Sequence, residues 1–145
     1  MKQINLSKTI LICIALVVTG NTGAAEKDTR QNVPFPSPMR EHMLGNMRDH
    51  LKALSEIQAA LAAKQYDRAA DIAETRIGMT SLEAHGASHM AQVMPKGMQA
   101  IGTEMHHAAS RFARTAQTGD DQKALEDLAK ITQQCVACHA AYRVH

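Results

Sequence analysis

The chain is poor in bulky aromatic side chains. It has no tryptophan, two phenylalanines (Phe35 and Phe112) and two tyrosines (Tyr66 and Tyr142) in 145 residues. Its core must therefore come from methionine, leucine and alanine, unless a large apolar group supplies the missing bulk. No stretch alternates polar and apolar residues with period two, which argues against half-buried strands. Internal repeats and low-complexity tracts are lacking, and the one long apolar run, Thr9–Val18, lies at the start. Neither charge sign dominates: 16 Lys and Arg stand against 14 Asp and Glu. No basic patch calls for nucleic acid or an anionic membrane surface. There is no Ser-His-Asp arrangement, no phosphate-binding glycine loop and no acid/base carboxylate pair, so the sequence gives no ground for an enzyme.

The N-terminus reads as a secretory signal peptide. Lys2 and Lys8 make a basic start, the apolar run follows, and Gly23-Ala24-Ala25 offers small residues for cleavage. The expected cut is after Ala25, with Ala24 as the alternative; a lipoprotein reading built on Cys13 fits poorly because Ile12 precedes it. Removing residues 1–25 leaves no membrane anchor and places the protein in the periplasm. With Lys2 and Lys8 gone, the 14 remaining basic residues match the 14 acidic ones. The domain expected after cleavage comprises an extended lead-in over 26–37 and a helical unit over 38–145.

Of three cysteines, Cys135 and Cys138 survive cleavage, within Cys135-Val136-Ala137-Cys138-His139. C-x-x-C-H is the attachment motif of c-type haem: two thiols bond the haem vinyl groups, and the histidine that follows binds the iron. A local disulfide would close a loop too short to staple much and would leave His139 idle. A thioredoxin-like pair wants a βαβ setting, and a zinc site wants two further ligands.

Helical spacing accounts for the rest. A first helix is expected over Pro38–Lys64, with Ser37 as N-cap. Its apolar stripe reads Leu44, Met47, Leu51, Leu54, Leu61, widened by Met43, His50 and Ile57. A second helix is expected over Tyr66–Thr80 with Ala69, Ala70, Ala73 and Ile77 inward, then a connection over 81–94 that holds at most a short turn. The third helix should run from Pro95 to Gln117 on Met98, Ile101, Met105, Ala108 and Phe112, and Gly119 should end it in a left-handed conformation. Asp120 should cap a fourth helix reaching Arg143, with Leu125, Leu128, Thr132, Cys135, His139 and Tyr142 inward. Four helices with short connections predict an all-α, up-down-up-down four-helix bundle with haem c near the C-terminal helix.

In length, helix order and the C-terminal Cys135-Val-Ala-Cys138-His139-Ala-Ala-Tyr142-Arg143, the chain resembles the cytochrome c′ family, the class II c-type cytochromes. Arg40-Glu-His-Met43-Leu44 in the first helix matches a second family motif. The resemblance implies one covalent haem c held by Cys135 and Cys138, with His139 as proximal iron ligand. It implies that Arg143 lies beside the porphyrin and that Arg40 pairs with a propionate. Redox partner proteins and a homodimer contact through the first helix follow from the same resemblance.

Two readings stay open at the distal side. The family register points to Leu44, which cannot ligate iron and leaves it open to NO or CO. The cluster Met39, Met43, Met47 points instead to Met43 or Met47 as sixth ligand, suited to single-electron transfer. That second option is the expected function. A rival from another class takes His85, His89, Met90, Met94 and Met98 as ligands of a periplasmic copper-binding helical protein. His106-His107 can send one ring inward at most, and His50 reads as an interior histidine.

Overall fold

The computed structural model describes residues 27–144; the signal-peptide expectation over 1–25 lies outside the described residues. The described residues are all-α, with five helices and a short parallel ribbon that joins the first and last described segments. Helix α1 is Ser37–Ala62, α2 Tyr66–Arg76, α3 Ala87–Ala91, α4 Lys96–Ala116 and α5 Asp121–Ala141. A single 3-10 turn, Met79–Ser81, precedes α3. Strands β1, Gln31–Val33, and β2, Tyr142–Val144, pair in parallel with Val33 opposite Val144. The main packing runs α1 on α2, α2 on α4 and α4 on α5.

Alanine lines much of this packing. Ala69, Ala70 and Ala73 of α2, together with Ala108, Ala109, Ala113 and Ala116 of α4, are all buried. Their small side chains add little bulk between the helices, and Phe112, Ile57, Ile77 and Ile131 fill the remaining space with no exposure at all. This is the larger of two cores. The smaller one gathers Val33, Phe35, Met43, Met90 and Met98, with Met39, Met47, Val93, Met94, Cys138, Tyr142 and Val144 packed against it.

Several boundaries differ from the sequence expectation. Residues 142–144 leave the helix to pair with β1, so α5 stops at Ala141, two residues short of the expected end. The strands went unforeseen because three residues are too few to show a period. Ser37 lies inside α1, and Pro36 takes the N-cap place without a side-chain hydrogen bond. Helix α2 stops at Arg76, before Gly78, and α1 stops at Ala62, where Lys64 turns left-handed at φ 59°. Gly119 is left-handed at φ 72°, and the Asp120 carboxylate accepts from the Lys123 N–H at 3.1 Å, as the capping signals required.

The stripes also need correction. In α1 the buried line is Met43, His50, Ala53, Ile57, Ala60 and Leu61, while Leu51 is 71% exposed. In α5 it is Ala124, Leu128 and Ile131, continued by half-buried Cys135, while Leu125 is 55% exposed. The apolar leucines drew the expected stripe, but alanine marks the face that packs. Phe112→Ala is expected to cost about 3–5 kcal/mol in urea unfolding, as a fully buried aromatic does. Leu51→Ala, on the exposed side, should stay within about 0.5 kcal/mol.

Candidate functional site

The last two turns of α5 carry Cys135, Cys138 and His139. Cys135 sits against the larger core and Cys138 against the methionine-rich one, so the two thiols reach the two apolar clusters from one helix. Their i,i+3 spacing puts them on one face, one turn apart. Both thiols are free, and Cys135 donates to the Ile131 carbonyl at 3.5 Å. Burial pushes both thiol pKa values up, and for Cys138 the neighbouring Cys135 adds to the rise. Such thiols stay protonated at neutral pH, unlike the activated thiolate of a redox or nucleophilic cysteine. His139 follows on the exposed side of α5, so it does not share the inward face expected of it.

An N-terminal strap covers the end of this helix. The Arg30 guanidinium donates to the His139 carbonyl at 3.5 Å and to both Asp28 carboxylate oxygens at 2.9 Å. Those hydrogen bonds hold the Asp28 carboxyl down to about 2. Arg143 lies on β2 instead of a helical turn, half-buried, with its Nε 3.6 Å from Asp28 Oδ2. That buried Nε has no hydrogen-bond partner, and the carboxylate is only a charge neighbour. Tyr142 closes the corner: a Cβ on Gly97, at the start of α4, would lie 2.5 Å from its hydroxyl oxygen. Only glycine lets α4 and the Tyr142 ring approach so closely.

Packed with Cys138, α1 contributes Met39, Met43 and Met47, α3 contributes Met90, the link after it Met94, and the first turn of α4 Met98. Met43 is 8% exposed. Leu44 is half-buried and belongs to neither core. Arg40, half-buried, has its Nη2 3.5 Å from Glu41 Oε1, a neighbour on the same helix. His89 is exposed, and His85 turns away from the methionines, so the histidines and methionines of the copper rival do not form one group. The rest of that rival, Met90, Met94 and Met98, does stay together.

His85 instead meets His50 of α1 and His106 of α4, with ring centres 4.8 Å (His50–His85), 5.5 Å (His85–His106) and 6.2 Å (His50–His106) apart. His107 is exposed, as the one-ring-inward expectation for that pair requires. His50 was legible as an interior residue of the α1 stripe. Its partners were not, because His85 lies in a connection with no periodicity. The strap residues Asp28 and Arg30 were likewise invisible, since nothing in a polar lead-in says what it will lie on.

Comparison with protein-family models, curated proteins and solved structures finds no match for this chain. No helix among the described residues is long and apolar enough to cross a membrane.

The histidine group has a pH consequence. Desolvation, then repulsion from His85 and His106, lowers the His50 pKa to about 4, and burial is also the first cause of the lowered values of His85 and His106. Each folded-state pKa lies below its unfolded value, so the unfolded chain takes up protons first as pH falls. Stability from this source is intact above about pH 6.5 and drains away as pH falls towards 4. For His50 the loss is on the order of 2–3 kcal/mol. In chelator-treated buffer, unfolding free energy should fall from pH 7 to pH 5, and His50→Gln should flatten that slope; an equal slope in the variant would refute the assignment.

Proposed function

We propose that the protein is a periplasmic mono-haem c-type cytochrome of the cytochrome c′ type, built as an up-down four-helix bundle and carrying single electrons. The observation that carries the reading is the donor set on α5: two free thiols one turn apart, both facing apolar clusters, followed at once by a solvent-accessible imidazole. That chemistry suits a covalently held haem, with Cys135 and Cys138 forming thioethers and His139 ligating the iron. When bound, the haem supplies a one-electron iron couple, and the protein's part is to hold it and set its surroundings. The methionine cluster, with Val33 and Phe35, shields the Cys138 side from water. The aromatic shortage of the chain fits the same reading, because a porphyrin brings apolar bulk of its own.

Two side chains bear on the distal ligand. Met43 is buried in the cluster that Cys138 touches, whereas Leu44 lies outside both cores. This supports methionine ligation and electron transfer over an open site for NO or CO. Arg143, which follows α5 on β2, would lie beside a group attached there, and Arg40 would serve a propionate from α1.

A second reading has one observation in its favour: six methionines share a cluster with a thiol, a soft donor set suited to Cu(I). One spectrum separates the two. Protein matured in a host competent in haem attachment should give an alkaline pyridine haemochrome band, and Cys135→Ala with Cys138→Ala should abolish it. A colourless wild-type product that binds Cu(I) stoichiometrically would overturn the haem reading. Within that reading, the oxidised protein should show a sulfur-to-iron charge-transfer band that Met43→Leu removes; a high-spin wild-type spectrum with ready CO uptake would rule methionine out.

A further inference from the structure

The three-histidine group lies apart from the cysteine motif, and electron transfer by a haem gives it no task. His50 comes from α1, His85 from the connection before α3, and His106 from α4. Three imidazoles coordinating one ion with metal–nitrogen bonds of about 2.0–2.1 Å have ring centres roughly 5 Å apart. The observed separations of 4.8, 5.5 and 6.2 Å bracket that spacing.

The hydrogen bonds fix which ring nitrogens are free. His106 Nδ1 lies 2.5 Å from the Ile77 carbonyl oxygen, which only accepts, so Nδ1 carries the proton. The Ser81 hydroxyl donates to the Gly78 carbonyl at 2.7 Å, so its oxygen accepts from His85 Nδ1 at 3.2 Å. Both rings are thus held as the tautomer whose Nε2 lone pair is unprotonated. Metal-ligating histidines are oriented in this way, with the far N–H given to a carbonyl or hydroxyl. The third ring supplies the independent sign. His50 is 5% exposed, and its buried Nε2 has no hydrogen-bond partner. Leaving such an atom unsatisfied costs roughly 1–3 kcal/mol.

We propose that His50, His85 and His106 form a binding site for one divalent transition-metal ion of the zinc and copper class, through their Nε2 atoms. The all-imidazole donor set selects that class over the hard oxygen-seeking ions, Mg2+ and Ca2+. The nearest carboxylate in sequence, Asp49, is taken by the Arg76 guanidinium, which also holds Glu56 at 2.5 Å. As they stand, no three His, Cys, Asp or Glu side chains among the described residues are arranged to hold a metal ion. The imidazoles must therefore turn inward on binding, and the broad terminal torsion of histidine makes small turns inexpensive. Burial keeps all three rings neutral at pH 7, so an ion need displace no proton there. The site does not depend on the haem reading, because it shares no residue with the cysteine motif.

The test is calorimetric titration of the processed chain with Zn2+ after chelator treatment, followed by zinc-edge X-ray absorption. One ion should bind per chain, with a first shell of three imidazoles and no sulfur. His50→Gln and His106→Gln should each weaken binding by at least about tenfold, and Ser81→Ala, which leaves the ligands in place, by roughly tenfold through His85. His89→Gln and His107→Gln, on exposed rings, should change nothing. Should a ligand variant fail to fold, the wild-type absorption spectrum decides alone. Absence of stoichiometric zinc, a shell containing sulfur, or binding unchanged in the Ser81 and His106 variants would overturn the site.

Discussion

Packing through buried alanine is the constraint on which the rest of the molecule depends. With so few aromatic residues, the chain cannot fill wide gaps between helices, so it removes them. Ala69, Ala70 and Ala73 of α2 and Ala108, Ala109, Ala113 and Ala116 of α4 are all buried in the larger core, where their small side chains take little room. One aromatic ring, Phe112, four isoleucines, two leucines and Met105 occupy the rest of that core. Close packing of small residues gains its energy from many short dispersion contacts rather than from large single burials. The same economy leaves the region around Cys138 to methionine, which adapts its shape to irregular space.

The two cores differ in kind for that reason. The larger is closed by alanine and isoleucine, side chains with few rotamers, and positions α2 and α4 firmly. The smaller is built largely of six methionines beside the first and last described segments, which β1 and β2 zip together. Methionine retains more conformational freedom and a polarisable sulfur, so this end can accommodate a guest more cheaply than the other. The strap secures it: Arg30 reaches over the last turn of α5 while Asp28 holds Arg30 and neighbours Arg143. The C-x-x-C-H helix is thus anchored to the chain's own N-terminal segment.

Much of this was legible from sequence, and the failures have a common cause. Helix order, the Gly119 and Asp120 caps and the inward alanines of α2 follow from local chemistry that a single chain displays. The stripes of α1 and α5 were drawn through Leu51 and Leu125 because leucine is the more hydrophobic residue. Yet the packing face is set by what the partner helix can accept, and an alanine-lined partner accepts alanine. Leu51 and Leu125 consequently lie outward. His85 and the strap belong to segments without periodicity, whose positions depend on surfaces that exist only after folding. Leu44 and Met43 show the same limit: they are adjacent in sequence, and only helix rotation decides which enters the core. The rotation that exposes Leu51 is the one that buries Met43.

That same rotation connects the two donor groups of the molecule. Helix α1 turns Met43 and His50 inward together, seven residues or about two turns apart. One meets soft sulfur donors beside Cys138; the other meets imidazoles of His85 and His106. Neither group suits the partners of the other, since thioethers and thiols favour soft ions and neutral imidazoles favour borderline ones. Between them, Leu44 and Leu51 are the residues that a one-position shift of α1 would bring in, and neither could ligate anything. The rotation that α1 adopts buries methionine and histidine instead, and leaves the His50 Nε2 without a partner. Leucine is not excluded from the interior, since Leu61 of the same helix and Leu128 of α5 are buried; it is the register of α1 that leaves Leu51 to solvent.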